Sequence, residues 1–107
     1  MGYSAPEQVS EKMGDVDRRT DVYQLGALTY ELLTGRLPFE TDRPADLHRR
    51  ILEEKPAPPS SVETELPAAV DAPVMKALEK EKEDRHETAI LFRNALRNIE
   101  SSIEVND

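Results

Sequence analysis

Apolar residues recur along most of the chain at the three- and four-residue spacing of an α-helix, and no segment alternates as a half-buried strand does. The longest such pattern covers residues 21–34, and its apolar positions surround almost the whole circumference of a helix. It predicts a central, mostly buried helix with Thr20 as its N-cap and Gly35 as its C-terminal stop. The pattern as a whole predicts an all-α fold.

Gly26 lies in the interior of this predicted helix. Glycine at such a position costs about 1 kcal/mol relative to alanine. A glycine there usually allows a close approach of backbones, so we expect another segment of the chain to pass close to Gly26.

Shorter helical patterns flank the long one, and turns rich in glycine, proline or charge separate them. The shorter predicted helices are one entered from the loop at residues 1–8, one at 45–53 capped by Asp42 or Thr41, one at 71–80 capped by Asp71, and one that begins near Thr88 and turns Leu91, Phe92, Ala95, Leu96 and Ile99 inward. The predicted turns or irregular segments are 14–17, 55–67 and 79–85. We therefore expect about five helices in one domain at 1–100, with a frayed tail at 101–107.

The composition describes a small acidic protein. Its 107 residues include 22 acidic and 14 basic side chains, which gives a net charge of −8. Because phosphate binding depends on lysine and arginine, this balance argues against a nucleic-acid partner. The excess negative charge is explained by solubility or by a salt-adapted host.

Residue types and segments that the sequence lacks exclude several kinds of site and bear on the location of the protein. The chain has no cysteine, which excludes disulfides, thiolate zinc sites and cysteine nucleophiles. No apolar run approaches the roughly 20 residues needed to span a bilayer, and the N-terminus lacks a signal-peptide pattern. We therefore expect a cytoplasmic protein with no membrane segment.

Three short strings begin like functional motifs and then depart from them. His86 and Glu87 open a zinc-binding H-E-x-x-H, but Ile90 stands where the second histidine would be. Residues 15–17 open like a calcium loop, but arginines follow where ligands are needed. The proline-rich residues 56–59 fit a ligand for a proline-reading domain or, more simply, a connecting loop. We predict no catalytic, metal-binding or cofactor-binding residue in this chain, and both histidines are expected at the surface.

Four other strings, in order along the chain, resemble the protein kinase family. Residues 2–7 (GYSAPE) are similar to the A-P-E segment that closes a kinase activation loop. Residues 20–26 (TDVYQLG) resemble the start of the central helix of the C-terminal lobe, and 30–39 (YELLTGRLPF) resemble its continuation. Residues 78–85 (LEKEKEDR) are similar to the closing L-x-K-[DE]-P-x-x-R. The resemblance spans residues 2–98 and implies the C-terminal lobe of a bacterial- or archaeal-type serine/threonine kinase domain.

Two positions depart from the family pattern. Lys82 stands where the closing motif has a proline, and His86 replaces the proline that follows the arginine. Both changes are expected to loosen this turn without touching a catalytic group.

The resemblance implies structural roles for five residues. It implies a buried ion pair between Glu7 and Arg85, in which the guanidinium offers a two-pronged donor to the carboxylate. Asp21 would anchor the catalytic loop by accepting hydrogen bonds from its backbone. Leu28 and Leu32, one turn apart, would support the apolar spine beneath the adenine.

The resemblance also implies a substrate-positioning role for the first residues. Gly2, Tyr3 and Ser4 would shape the pocket for the residue that follows the phosphorylated serine or threonine. The Gly-x-x-Ala-Pro-Glu form with Tyr3 is similar to serine/threonine kinases, whereas tyrosine kinases usually carry tryptophan and a basic residue here.

The parts that handle ATP are absent from the sequence. It contains no G-x-G-x-x-G, V-A-I-K, H-R-D or D-F-G motif. ATP and Mg²⁺ are therefore implied only for a full-length parent, and we expect this chain alone not to catalyse phosphoryl transfer.

Three hypotheses follow for the chain itself. The first is a C-terminal kinase fragment that supplies scaffold and a substrate-docking surface around the helix at 45–53 and the loop that follows it. The second is a stand-alone helical adaptor derived from a kinase lobe, and the third is a helical bundle unrelated to kinases. Expected partners are protein substrates, the missing N-terminal portion of the kinase, or a second copy, because the apolar central helix lacks its usual neighbours.

Overall fold

The computed structural model describes the backbone of residues 2–105 and the side chains of residues 2–99. This part of the chain is built from helices and contains no strand, which confirms the predicted all-α fold. The six α-helices are α1 (Pro6–Val9), α2 (Arg18–Thr34), α3 (Pro44–Glu53), α4 (Pro59–Val62), α5 (Asp71–Ala77) and α6 (Ala89–Val105). Short 3₁₀ turns lie at Glu11–Met13, Ala68–Val70 and Lys82–Asp84.

The long helix α2 is the element against which α4, α5 and α6 pack. Its inner side carries Val22, Tyr23, Ala27 and Tyr30, all buried. These side chains form two adjoining apolar clusters with buried residues of the neighbouring segments, which are Ala5, Val74, Ala77, Leu78 and Phe92. A third cluster joins α3 to the segments on either side of α2 through Val9, Phe39, Leu47 and Ile51.

The close approach predicted at Gly26 is confirmed. A Cβ atom placed on Gly26 would lie 2.7 Å from the Cβ of Ala77 in α5 and 3.6 Å from its carbonyl carbon. Glycine therefore allows α2 and α5 to pack with their backbones close together.

The start of α2 differs from the prediction, and its end agrees with it. Asp17 is the N-cap, because its carboxylate accepts a hydrogen bond from the backbone N–H of Arg19 at 2.9 Å. Thr20 lies three residues inside the helix, where its hydroxyl accepts from the N–H of Asp17 at 3.0 Å. At the other end, Gly35 adopts a left-handed conformation with φ of 76°, which is the predicted glycine stop.

The prediction that α2 is buried around almost its whole circumference is wrong on one face. Leu28 is 42% exposed and Leu32 is 77% exposed, although both are large apolar residues. The reason is that the other described helices pack on the opposite side of α2, where Val22, Ala27 and Tyr30 lie. The outer face is left to solvent within this chain.

The predicted caps of α3 and α5 are also wrong by one or two residues. Helix α3 begins at Pro44 with Arg43 as its N-cap, because proline fits the first helical position, where no N–H is needed. Asp71 is the first residue of α5, and its carboxylate accepts hydrogen bonds from the backbone N–H and the hydroxyl of Ser60. The carboxylate therefore holds the start of α4 against α5 and does not cap α5.

The remaining differences concern the proline-rich segment and the last helix. Residues 55–67 were expected to be irregular, but they include the single turn α4. In α6, Phe92 is fully buried as predicted, whereas Leu91 is 47% exposed. The backbone of α6 continues to Val105. Residues 106–107 lie outside the described part, so the frayed tail stays a prediction.

Candidate functional site

The carboxylate of Glu7 and the guanidinium of Arg85 form a buried pair that joins the first helix to the turn before α6. Arg85 Nη1 donates to Glu7 Oε2 at 2.7 Å, and Arg85 Nη2 donates to Glu7 Oε1 at 2.8 Å. Both side chains are 0% exposed. The structure therefore places together, in bidentate geometry, the two residues that the resemblance pairs.

Every N–H of the Arg85 guanidinium has an acceptor. Besides Glu7, the acceptors are the backbone carbonyls of Glu79 at 2.8 Å, Arg19 at 3.0 Å and Lys80 at 3.1 Å. The guanidinium carbon also lies 5.0 Å from the centroid of the Tyr23 ring on α2. Arg85 thus connects the first segment, the start of α2 and the 79–85 turn.

The Glu7 carboxylate is held in its charged form. Burial by itself raises the pKa of Glu7, but the hydrogen bonds donated by Arg85 and Thr20 outweigh burial and leave this pKa below its usual value. The Thr20 hydroxyl donates to Glu7 Oε2 at 2.7 Å. Sequence reasoning assigned Thr20 to a helix cap and missed this contact, since its partner lies 13 residues away.

The three residues predicted to position a substrate lie just before this ion pair. The Tyr3 hydroxyl donates to the Glu31 carboxylate on α2, and Tyr3 itself is 38% exposed. Gly2 lies directly against Leu37, because a Cβ on Gly2 would be 2.5 Å from the Leu37 Cδ1. Ser4, which follows Tyr3 in the chain, is half-buried.

A cavity of about 630 Å³ opens between Gly2 and the segment that leads into α3. Its walls are apolar at Leu37, Phe39 and Leu47, and they carry the carboxylates of Glu40 and Asp42. Among the described residues, no group of three or more histidine or acidic side chains could hold a metal ion. The cavity therefore combines apolar walls with two acidic side chains.

The other three predicted residues lie together on the outer face of α2. Asp21 and Leu28 line an open cavity of about 590 Å³ with Tyr3, Gln24 and Leu25. Leu32 lies further along the helix and is the more exposed of the two leucines. We call Asp21, Leu25, Leu28 and Leu32 the outer face of α2.

Lys82 in the 79–85 turn and His86 just after it have contacts that differ from those expected. Lys82 does not loosen the turn, because its Nζ donates to the carbonyl of Asp15 and, at 3.0 Å, to Oδ2 of Asp17. His86 is only 7% exposed, and its ring centroid lies 5.2 Å from that of Phe92, so the surface position expected for it is wrong. Burial, with a smaller effect of the Lys76 charge, lowers the pKa of His86. No pattern in the sequence marks this burial.

The relatives found by comparison with known proteins are bacterial serine/threonine-protein kinases. The chain matches no protein-family model. It is 37% identical over 102 residues to the serine/threonine-protein kinase PksC of Streptomyces coelicolor, covering 95% of this chain and 18% of PksC. It is 46% identical over 92 residues to the serine/threonine-protein kinase PknB of Mycobacterium tuberculosis, covering 85% of this chain and 14% of PknB. It is 44% identical over 94 residues to the serine/threonine-protein kinase Pkn1 of Myxococcus xanthus, covering 88% of this chain and 13% of Pkn1.

The matches cover almost all of this chain and a small part of each relative. The chain spans less than one fifth of the length of these three bacterial kinases, with 18% as the largest share. Within residues 2–105, no helix is long and apolar enough to cross a membrane.

Proposed function

Because this chain belongs to the serine/threonine protein kinase family, as a segment of the C-terminal lobe, we propose that its parent kinase transfers the γ-phosphoryl group of ATP to serine or threonine side chains of proteins. The observation that carries this proposal is the buried Glu7–Arg85 pair. It fixes residues 2–7, the segment that would meet the substrate, onto the helical scaffold. Three buried hydrogen bonds hold the Glu7 carboxylate there, two donated by Arg85 and one by Thr20.

Within the parent, this chain supplies scaffold and a docking surface. The cavity between Gly2 and α3 lies beside the tethered segment, and its apolar walls and carboxylates suit a side chain of an extended peptide. ATP and Mg²⁺ belong to the motifs that this sequence does not contain, so no residue here is assigned to them. Since the reaction consumes ATP, we place it in the cytoplasm.

A chimaeric kinase tests the proposal. This chain would replace the matching segment of PknB, and transfer of labelled phosphate from ATP to a protein substrate would be measured with Mg²⁺ present. We expect activity within about tenfold of PknB itself, and no transfer by the 107-residue chain alone. Glu7→Gln in the chimaera should abolish most of the activity, whereas Glu11→Gln, which changes an exposed glutamate, should not.

The outcomes separate the two leading functions. A folded but inactive chimaera would contradict the kinase proposal and favour the helical adaptor. Phosphate transfer by the isolated chain would contradict the assignment of ATP to residues outside it.

We also propose that the isolated chain self-associates through the outer face of α2. Leu28 and Leu32 are 42% and 77% exposed there, and apolar patches of several hundred Å² rarely stay uncovered on monomers. Light scattering on the 107-residue chain should therefore give a dimer or a larger species. Leu28→Glu combined with Leu32→Glu should give a monomer, whereas Val16→Glu, at a site that is 60% exposed elsewhere, should leave the assembly intact. A monomeric wild-type chain at high concentration would refute the proposal.

A further inference from the structure

Lys80 reaches out of the 79–85 turn and contacts the end of α3. Its Nζ donates to the carbonyl of Ile51 at 2.7 Å and to that of Arg50 at 3.2 Å. These carbonyls belong to the last turn of α3, and that of Arg50 also accepts a hydrogen bond from the backbone N–H of Glu54 at 2.9 Å. The same Nζ lies 4.6 Å from the centroid of the Phe39 ring. One ammonium group therefore contacts both α3 and the segment that leads into it.

The position of this ammonium group is unfavourable unless it is held by its contacts. The pKa of Lys80 is lowered to about 8, chiefly by burial; the Glu54 and Glu79 charges act in the opposite direction, and the Arg85 charge adds to the lowering. A lysine on a flexible four-carbon chain would otherwise extend into water. In the structure the ammonium group lies instead at the C-terminal end of α3, where a cation also complements the helix dipole.

Lys80 is joined to the buried ion pair through its own backbone. Its carbonyl accepts a hydrogen bond from Arg85 Nη2 at 3.1 Å, and the same Nη2 donates to Glu7. A continuous set of contacts therefore runs from Glu7 through Arg85 to Lys80 and on to the last turn of α3. This set of contacts connects the two sides of the cavity. Gly2, which lies shortly before Glu7 in the chain, lines one side, and Leu47 of α3 lines the other.

We infer that Lys80 is a positioning residue, which holds α3 at a fixed distance from residues 2–7 and so sets the width of the peptide-binding cavity between Gly2 and α3. This inference rests on the proposed function in taking the cavity as the place where substrate binds. Lys80 touches neither the cavity nor a reacting group and acts only through Phe39 and α3. Helix α3 is also held by the apolar cluster in which Phe39 and Val9 pack against Leu47 and Ile51, so removal of Lys80 should loosen α3 without unfolding it.

The first test uses the 107-residue chain and needs no kinase activity. Hydrogen exchange of the α3 amides is compared between wild type and Lys80→Met, which keeps most of the apolar stem and removes the charge. We expect exchange in α3 to become at least about tenfold faster, because two charge-assisted hydrogen bonds are lost, with little change in α2. Lys80→Arg, which can still donate to both carbonyls, should restore slow exchange. Lys12→Met, at an exposed lysine, is the matched control.

The second test measures substrate binding in the chimaeric kinase described above. Lys80→Met should raise the KM for a peptide substrate about tenfold and leave kcat within about twofold, and Lys80→Arg should return KM to the wild-type range. If Lys80 only stabilised the fold, Lys80→Met would lower kcat as well as raise KM, and Lys80→Arg would not restore KM selectively. Unchanged exchange in α3, or an unchanged KM in an active chimaera, would overturn the inference. An inactive chimaera with faster α3 exchange in Lys80→Met would count against the proposed function and leave the positioning of α3 by Lys80 supported.

Discussion

Replacing Glu7 by glutamine is expected to lower the free energy of unfolding of this chain by about 3–5 kcal/mol. Arg85 would keep its full charge in a site that is 0% exposed, with a neutral amide in place of its carboxylate partner. A loss of this size is a large part of the 5–15 kcal/mol that stabilises a typical domain. Urea denaturation followed by circular dichroism measures the change.

Two companion variants keep this result interpretable if Glu7→Gln does not fold. Thr20→Val removes the hydroxyl that donates to Glu7 and accepts from the N–H of Asp17, and it should cost about 2 kcal/mol for two hydrogen bonds. Glu7→Leu combined with Arg85→Met removes both charges and should recover part of the loss, because an apolar pair avoids the desolvation of two ions, although three backbone carbonyls lose their donor. A Glu7→Gln variant that unfolds at the same urea concentration as wild type would show that the pair contributes nothing to stability.

The pH dependence of stability gives an independent check of the same pair. The folded-state pKa of Glu7 lies below its unfolded value, so the contribution of its charged form is fully present above about pH 4.5 and is lost as the pH falls through the folded-state pKa. Wild type should therefore lose stability in this acid range, and the loss should be smaller in Glu7→Gln, which has no group to titrate at this position.

Local signals in the sequence were sufficient to predict most of the helices. The helical spacing within 21–34 and the glycine stop at Gly35 depend on residues that are close in sequence, and the structure has both. The prediction at Gly26 also succeeded, since a glycine inside a buried helix has few other physical explanations.

The choice of helix cap at α2 could not be made from the sequence. Asp17 and Thr20 are both good N-cap residues, and they lie three positions apart. In the structure the Thr20 hydroxyl donates to the buried Glu7 carboxylate at 2.7 Å and accepts from the backbone N–H of Asp17 at 3.0 Å. With Thr20 engaged in this way, Asp17 caps the helix.

The burial of charged and polar side chains at residues 79–86 could not be predicted from the sequence either. The run of alternating charges there has the composition of a solvated turn, yet Lys80 bonds to carbonyls 29 and 30 residues earlier in the chain. His86 is buried against Phe92 without any helical or strand pattern that would indicate it. Long-range packing of this kind was recognisable only for Glu7 and Arg85, because the family resemblance paired them.

Replacing Gly26 by alanine is expected to destabilise the chain by about 1–2 kcal/mol, although alanine is the better helix former. The new methyl group gains about 1 kcal/mol of helix propensity. It would also lie 2.7 Å from the Cβ of Ala77, a distance at which α2 and α5 must move apart. Overpacking of a buried contact costs typically 1–3 kcal/mol, and separating these helices also weakens the cluster of Val22, Ala77 and Phe92.

A double-mutant cycle with Ala77→Gly distinguishes this clash from a general intolerance of change in α2. Ala77→Gly alone should cost about 1 kcal/mol through the propensity of glycine in a helix. In the double variant the methyl group moves from one helix to the other, so the two backbones can keep their spacing. The double variant should therefore be at least about 1 kcal/mol more stable than the sum of the two single changes predicts. Additive losses in thermal or urea denaturation would mean that the contact between these two helices does not require glycine.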